Sequence, residues 1–435
     1  MNTMTDHTSI RPITFDASSP TDPRIGGVSV SELVNTYGTP LYVMDVATLR
    51  HNCLNYIEPL KQEYPNHLVV FAGKANLNRS LLNCIQPTGM GVEVVSGGEL
   101  FTALRSTIPA QNMLFHGNNK SNSELKMAIE YDIRIVVDNL TELSNVIEQA
   151  ELLHRTARVL IRLKPEIEAH THDYIKTGQI DSKFGIRKEE LLDAVRQCDH
   201  PLINFLGLHG HIGSQIFDEA PYLDLVDIMV GHMQTLRSEL GISVAELDLG
   251  GGFGIRYTES DDPPAVRPLV TAMAQRLKAA CQSTGLPLPL LILEPGRSIV
   301  GNAGITLYEV GSIKTIPNIK EYLFVDGGMA DNPRPAMYGS KYTFDIANKL
   351  SEPKTKHYDI AGKFCESGDI LGKQVPLQAA GRGDILMVYG TGAYNYAMSS
   401  NYNRFCRPAM VAVENGASSI WIARETFEDL VKNDA

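Results

Sequence analysis

Short apolar runs rich in β-branched residues alternate along the first 300 residues with longer stretches in which apolar positions recur at helical spacing. Eight such runs are bounded by Gly, Asn or Pro: residues 67–72, 91–95, 112–116, 133–138, 157–163, 205–209, 245–249 and 290–294. Between them, residues 121–131, 140–156 and 221–240 show the helical period. Strand followed by helix, eight times over, predicts a closed parallel (β/α)8 barrel of the α/β class. An open doubly wound sheet also alternates, but eight units without an early G-x-G-x-x-G loop favour closure.

Beyond about Gly304 the pattern changes. Residues 305–316, 321–325, 356–361, 384–389 and 410–424 read as strands, helical segments are few, and Asp326-Gly327-Gly328 and Glu414-Asn415-Gly416 mark turns. A mainly β domain, barrel or sandwich, is therefore expected after the (β/α)8 barrel. The predicted division is an N-terminal segment 1–45, a barrel 46–304 and a β domain 305–435, with the short strand 41–44 pairing with the β domain.

Composition narrows the function classes. A chain of 435 residues exceeds the size at which one core stops growing, so two domains are the default. With 39 basic against 50 acidic side chains, net charge −11, and no basic cluster, a nucleic-acid surface is not expected. No apolar run reaches membrane-spanning length and Met1 to Pro20 is polar, so a cytoplasmic protein without a membrane partner is expected. The six cysteines, Cys53, Cys84, Cys198, Cys281, Cys365 and Cys406, form no CxxC pair, so neither a zinc site nor a disulfide framework is signalled.

Nearly every barrel strand ends in a residue fit for chemistry or close ligand approach: Lys74, Ser96, His116, Asp138, Arg162, His211, Gly250 to Gly252 and Glu294. In a barrel these ends converge on one mouth, where active sites are built. Lys74, directly after an apolar strand, is expected to be partly desolvated, which would free a neutral amine for a Schiff base with an aldehyde cofactor; a surface lysine reads equally well. His209 and His211 stand two residues apart with no acidic residue close in sequence, so a flat imidazole packing on a flat ring is favoured over metal ligation. Gly250-Gly251-Gly252 can present N–H groups to a phosphate or simply turn tightly. Glu294 could face a pyridine nitrogen or pair with Arg297. In the β domain, Cys365 lies between polar residues in Cys365-Glu366-Ser367-Gly368-Asp369 and could donate a proton to a carbanion, or be an inert buried thiol.

Together these segments resemble the alanine-racemase-like, fold-type III barrel class of pyridoxal-phosphate enzymes, and most closely the diaminopimelate decarboxylases. The resemblance runs from about Ile25 to Val431 and rests on Lys74-Ala75-Asn76, His211-Ile212-Gly213-Ser214-Gln215, Gly250-Gly251-Gly252-Phe253-Gly254, Glu294-Pro295-Gly296-Arg297, Cys365-Glu366-Ser367-Gly368-Asp369 and Gly392-Ala393-Tyr394. It implies that Lys74 binds the cofactor aldehyde, His211 stacks on its ring and Glu294 faces its nitrogen. Ser214, Gly252, Gly296 and Tyr394 would surround the phosphate, and Gly251 and Arg297 would also bind the cofactor. Arg297, Arg334, Tyr338, Glu366 and Tyr394 would hold substrate, and Cys365 would act catalytically with Lys74, reaching across a homodimer from the second subunit. Residues 170–178 and 182–185 look like the diaminopimelate version, and two arginines suit a far carboxylate while Glu366 suits its amine. Phe71 and Gly73 depart from the common family form. The expected reaction is decarboxylation of meso-2,6-diaminopimelate to L-lysine and carbon dioxide, the last step of lysine biosynthesis. The alternatives are decarboxylation of another basic amino acid (ornithine, arginine or a D-amino acid) and racemisation.

Overall fold

The computed structural model describes residues 9–165 and 183–435, so the stretch 170–178 lies outside the described residues. The chain forms two compact units, one of Met1–Asn52, Ile255–Asp262 and Arg297–Ala435, the other of Cys53–Gly254 and Pro263–Gly296.

In chain order the first strand of the larger sheet, β1 (Leu41–Asp45), precedes the barrel strands β2 (His67–Ala72), β3 (Gly91–Val94), β4 (Met113–Phe115), β5 (Arg134–Val137), β6 (Ala157–Leu163), β7 (Ile203–Gly210), β8 (Glu246–Asp248) and β9 (Leu290–Leu293). All eight barrel strands pair in parallel, β9 closing on β2, so the eight apolar runs of the sequence are the eight staves of one barrel. A parallel barrel buries both faces of each strand, which is why the runs read as nearly continuous apolar segments. Leu68, Val70, Leu114, Val136, Leu160, Leu206 and Ile292 fill the barrel interior as one cluster.

The helices begin and end where local chemistry dictates. Asn122–Glu130 is opened by a capping box of Ser121 and Glu124. Leu140–Leu153 starts at Asn139, whose side chain accepts from the Glu142 N–H, and stops three residues before the predicted end because His154 turns left-handed at φ 51°. Ala220–Leu240 and Val266–Thr284 end at left-handed glycines, Gly241 and Gly285.

The other unit is mainly β: β10 (Gly304–Ile316), β11 (Lys320–Val325), β12 (Phe344–Ile346), β13 (Lys356–Ala361), β14 (Ile370–Leu377), β15 (Ile385–Tyr389), β16 (Ala409–Glu414) and β17 (Ala417–Ile422). The sheet order is β14-β13-β11-β10-β1-β16-β17, with β15 pairing β10 and β12. β1 lies between β10 and β16, so the N-terminal strand is structural to this sheet. The predicted run 410–424 is a hairpin whose turn, Asn415-Gly416, takes positive φ at both residues. β14, whose residues read Ile-Leu-Gly-Lys-Gln-Val-Pro-Leu, was not expected: Gly372, Lys373 and Pro376 break the apolar alternation, and pairing with β13 supplies the order.

Candidate active site

Barrel register sets the arrangement. Asp248 of β8 is the Cα partner of His209 on β7, and His209 is the partner of Arg162 on β6, so three polar side chains sit on one rung of an otherwise apolar wall. Glu93 on β3 and Glu294, just past β9, complete a polar layer at the carboxyl ends of the strands. All five are buried or nearly so.

Glu294 is its centre. Its Oε1 lies 2.6 Å from His116 Nε2 and its Oε2 3.2 Å from His209 Nε2. Burial works to raise the Glu294 pKa, but the two histidines outweigh it and hold the group well below the usual carboxylate range. Arg297 Nη1 donates to the Tyr257 hydroxyl at 2.7 Å. The sequence reading that no acidic residue accompanies His209 is corrected: Asp248 and Glu294, distant in sequence, stand beside it.

Lys74 occupies a single 3-10 turn, Gly73–Ala75, at the end of β2. Here the expectation of a partly desolvated lysine fails, because the residue is exposed. What the barrel supplies is a field of acids instead. Lys74 draws down the pKa of buried Glu93, which burial raises, and that of Glu99, which burial and Glu93 together push up to about 7. His211 is kept neutral mainly by burial and then by the positive charge of Lys74, which places the amine and the imidazole in one field. Gly251 N–H donates to His211 Nδ1 at 3.3 Å, so the remaining ring hydrogen belongs on Nε2 and the imidazole plane is fixed.

The glycine run knits the loops after β7, β8 and β9 together. A Cβ on Gly251 would meet the Glu294 carbonyl oxygen at 2.2 Å, and one on Gly252, at φ +97°, the Gly213 carbonyl oxygen at 2.5 Å. Packing of backbone on backbone thus demands glycine there, and the result is a side-chain-free cradle beside Ser214 and Gly296. Ala72 N–H donates to the Pro295 carbonyl at 3.0 Å, tying the Glu-Pro-Gly loop to the strand that carries Lys74. A cradle without side chains, a neutral flat imidazole and an ionised buried carboxylate fit a phosphorylated pyridine aldehyde. Ser96, in contrast, is a helix cap for Glu99 N–H.

In the second unit, buried Arg297 and Arg334 flank Tyr394, with guanidinium carbons 4.7 and 5.5 Å from its ring centre; Arg334 also lies 5.6 Å from the Tyr338 ring. Buried Arg334 Nε has no hydrogen-bond partner among the described residues, leaving a guanidinium donor available to an anion. Tyr394 takes φ 61°, a costly conformation for a bulky residue and one that clusters at functional sites. Cys365 is exposed, as its polar neighbours suggested, and its loop is held by Asn403, which accepts from Cys365 N–H at 2.8 Å. Neither Cys365 nor Glu366 hydrogen-bonds or ion-pairs with Arg297, Arg334 or Tyr394 among the described residues. Sequence reasoning missed Glu93, Glu99, Asp248 and Tyr257; an acid at an alternate position of an apolar strand, as in Gly91-Val92-Glu93-Val94, was the available signal for the first.

Comparison with known proteins agrees with this geometry. Residues 52–301 match the family model described as pyridoxal-dependent decarboxylase, pyridoxal binding domain. Diaminopimelate decarboxylase of Synechocystis sp. is 44% identical over 98% of this chain and 93% of its own length. The Bacillus subtilis protein of the same name is 44% identical, covering 94% of both chains. Among solved structures, diaminopimelate decarboxylase from M. jannaschii in complex with L-lysine superposes with a TM-score of 0.91, at 33% identity over 99% of each chain. Among the described residues no helix is long and apolar enough to cross a membrane. The chain belongs to the pyridoxal-dependent decarboxylases, in the diaminopimelate decarboxylase family.

Proposed function

We propose that this protein decarboxylates meso-2,6-diaminopimelate to L-lysine and carbon dioxide, with pyridoxal phosphate as cofactor. The observation that carries the reading is the joint presence, on one barrel mouth, of Lys74, neutral His211, ionised Glu294 and the glycine cradle. When bound, the cofactor supplies an aldehyde that condenses with amines and a ring that takes up the electron pair left by departing carbon dioxide. Lys74 would provide the amine that holds the aldehyde. His211 would pack on the ring, and Glu294 would hold a proton at the ring nitrogen. Gly251, Gly252, Gly296 and Ser214, with Tyr394, would receive the phosphate.

Arg297 and Arg334 recognise a carboxylate, Tyr338 and Tyr394 contact the substrate, and Glu366 binds the far ammonium. A substrate with a carboxylate at each end suits a donor such as Arg334 Nε better than a simple diamine precursor does. Exposed Cys365 returns a proton to the carbon that lost carbon dioxide, with Lys74, and does so from the second subunit of a homodimer. On this reading the protein works in the cytoplasm.

The test is to incubate the protein, loaded with pyridoxal phosphate, with meso-diaminopimelate, ornithine, lysine and arginine in parallel and to measure carbon dioxide. Release from diaminopimelate, with L-lysine as product, is expected; release from ornithine or arginine alone would overturn the substrate assignment. Cys365→Ala should keep the bound cofactor's visible absorbance and lose turnover by about a hundredfold or more, the usual worth of a positioned proton donor.

A further inference from the structure

Three buried side chains converge on Glu294 without a part in the reaction outlined above: His116, His209 and Asp248. Together with Glu294 they offer polar atoms that all lie within 4.8 Å of one another. His116 Nε2 meets Oε1 at 2.6 Å, His209 Nε2 meets Oε2 at 3.2 Å, and the imidazoles pack edge to face with centroids 4.7 Å apart. The Asp248 carboxyl lies beside Glu294, and its Oδ1 accepts the Gly250 N–H at 2.8 Å, so the backbone fixes its orientation.

Counting hydrogens shows what the cluster does. A carboxylate has about four lone-pair sites. His209 Nε2 hydrogen-bonds to one of them, and His116 Nε2 and the Asp248 carboxyl stand against Glu294 closely enough that each contact is favourable only with a hydrogen between its two atoms. Burial drives the His209 pKa down to about 3, so this ring is neutral with one hydrogen, and its Nδ1 has no partner among the described residues, which leaves the hydrogen for Nε2. Burial and then the charge of Glu294 push Asp248 well above the carboxylate range, so the shared proton resides on Asp248. The other charged groups facing the cluster are Glu93 on β3, Arg162 on β6 and, beside Glu93, Lys74; neutral His211 borders it. Arg162 favours an ionised Glu294 and disfavours a second proton on His209.

We infer that His116, His209 and Asp248 are positioning residues that deliver three hydrogen-bond donors to Glu294, leaving one lone pair directed at the N–H of a bound pyridinium ring. This rests on the assignment of Glu294 to the ring nitrogen. Without the donors, a buried Glu294 would take a proton itself, and the ring nitrogen would lose both its proton and its electron-accepting strength. The three are therefore part of the device that keeps the ring protonated, acting through Glu294.

The experiment uses holoenzyme carrying pyridoxal phosphate with an isotope-labelled ring nitrogen, whose NMR shift reports protonation as a function of pH. Variants are His116→Leu, His209→Leu, His116→Gln, His209→Gln and Asp248→Asn. Each Leu variant is expected to lose the protonated-nitrogen signal at lower pH than the parent, and to bind the cofactor about tenfold more weakly, the scale of one hydrogen bond to a charged group. The Gln variants, which keep an N–H near Nε2, and Asp248→Asn, which keeps a donor, should stay within about threefold of the parent in affinity, well under that tenfold scale, with its signal unchanged. Leu variants indistinguishable from the parent overturn the inference, as do Gln variants that shift as far as the Leu ones. If the Leu variants do not fold, an altered ring signal in Asp248→Asn overturns it and an unaltered one upholds it. A parent enzyme whose bound ring nitrogen is unprotonated throughout would instead remove the assignment of Glu294 itself.

Discussion

Glu246 and Asp248 leave the same three-residue strand two positions apart, face the same barrel interior, and meet opposite surroundings. At the amino end, Glu246 is gripped by a fork: Arg134 Nε reaches Oε2 at 2.8 Å and Nη2 reaches Oε1 at 2.9 Å, with Arg158 Nη2 a further 3.9 Å away. With Asp132 3.5 Å from Arg158 Nη1, two cations meet two carboxylates. At the carboxyl end, Asp248 joins Glu294 and Glu93 in an acid-rich layer whose nearest partners are imidazoles, a deeply buried Arg162 and an exposed Lys74. The first cluster is complete within the protein. The second gathers groups whose protonation is displaced from ordinary values, as functional sites do. One barrel thus assigns its two ends to stability and to chemistry, as parallel barrels do.

The sharpest break between the two ends is Lys74→Ala. Turnover should drop to background, beyond the roughly hundredfold to ten-thousandfold worth of proton transfer alone, and the bound cofactor's visible absorbance should vanish. Thermal unfolding of the unloaded protein should stay unchanged. At the opposite end, Glu246→Ala removes the carboxylate from the buried Arg134 guanidinium and should cost about 3–5 kcal/mol in a denaturant titration while leaving the cofactor's absorbance intact. A loss of absorbance without a loss of stability would erase the distinction between the ends. Between them, Leu160→Ala opens a cavity in the interior cluster and should cost about 2–5 kcal/mol, the smaller value if neighbours relax into the space.

The smallest effect concerns pH. Glu99 is raised from 4.5 to about 7 in the folded chain, by burial first and by Glu93 second. A group whose folded pKa is raised binds its proton more tightly when folded, so its stabilising contribution is full below 4.5 and fades as pH rises through about 7. Glu99→Gln should flatten that part of the stability profile, measured as denaturation midpoints across the window. An unchanged slope would mean that Glu99 is ionised throughout.

Much of the site was legible because strand ends advertise themselves: a lysine, a histidine, a triple glycine or a glutamate directly after an apolar run is visible without coordinates. Lys74, His211, Gly251, Gly252 and Glu294 were singled out in that way, and the closed barrel brings their strand ends to one mouth. Asp248 and Glu93 escaped notice because they sit inside runs, at alternate positions where an acid reads as an exposed face until the barrel closes. The desolvation expected of Lys74 could not be judged from an apolar strand preceding it, since exposure depends on the turn that follows, here a single 3-10 turn.

From the order of its residues alone, this chain determined eight staves, a β unit following them, and the chemical identity of the groups at the strand ends, because alternation and turn residues act over a few positions at a time. Only the tertiary structure decided that His116, His209, Asp248 and Glu294, spread over 179 positions of sequence, share one buried cluster. Barrel closure sets which strands are neighbours, and burial then sets which of the gathered groups can carry charge.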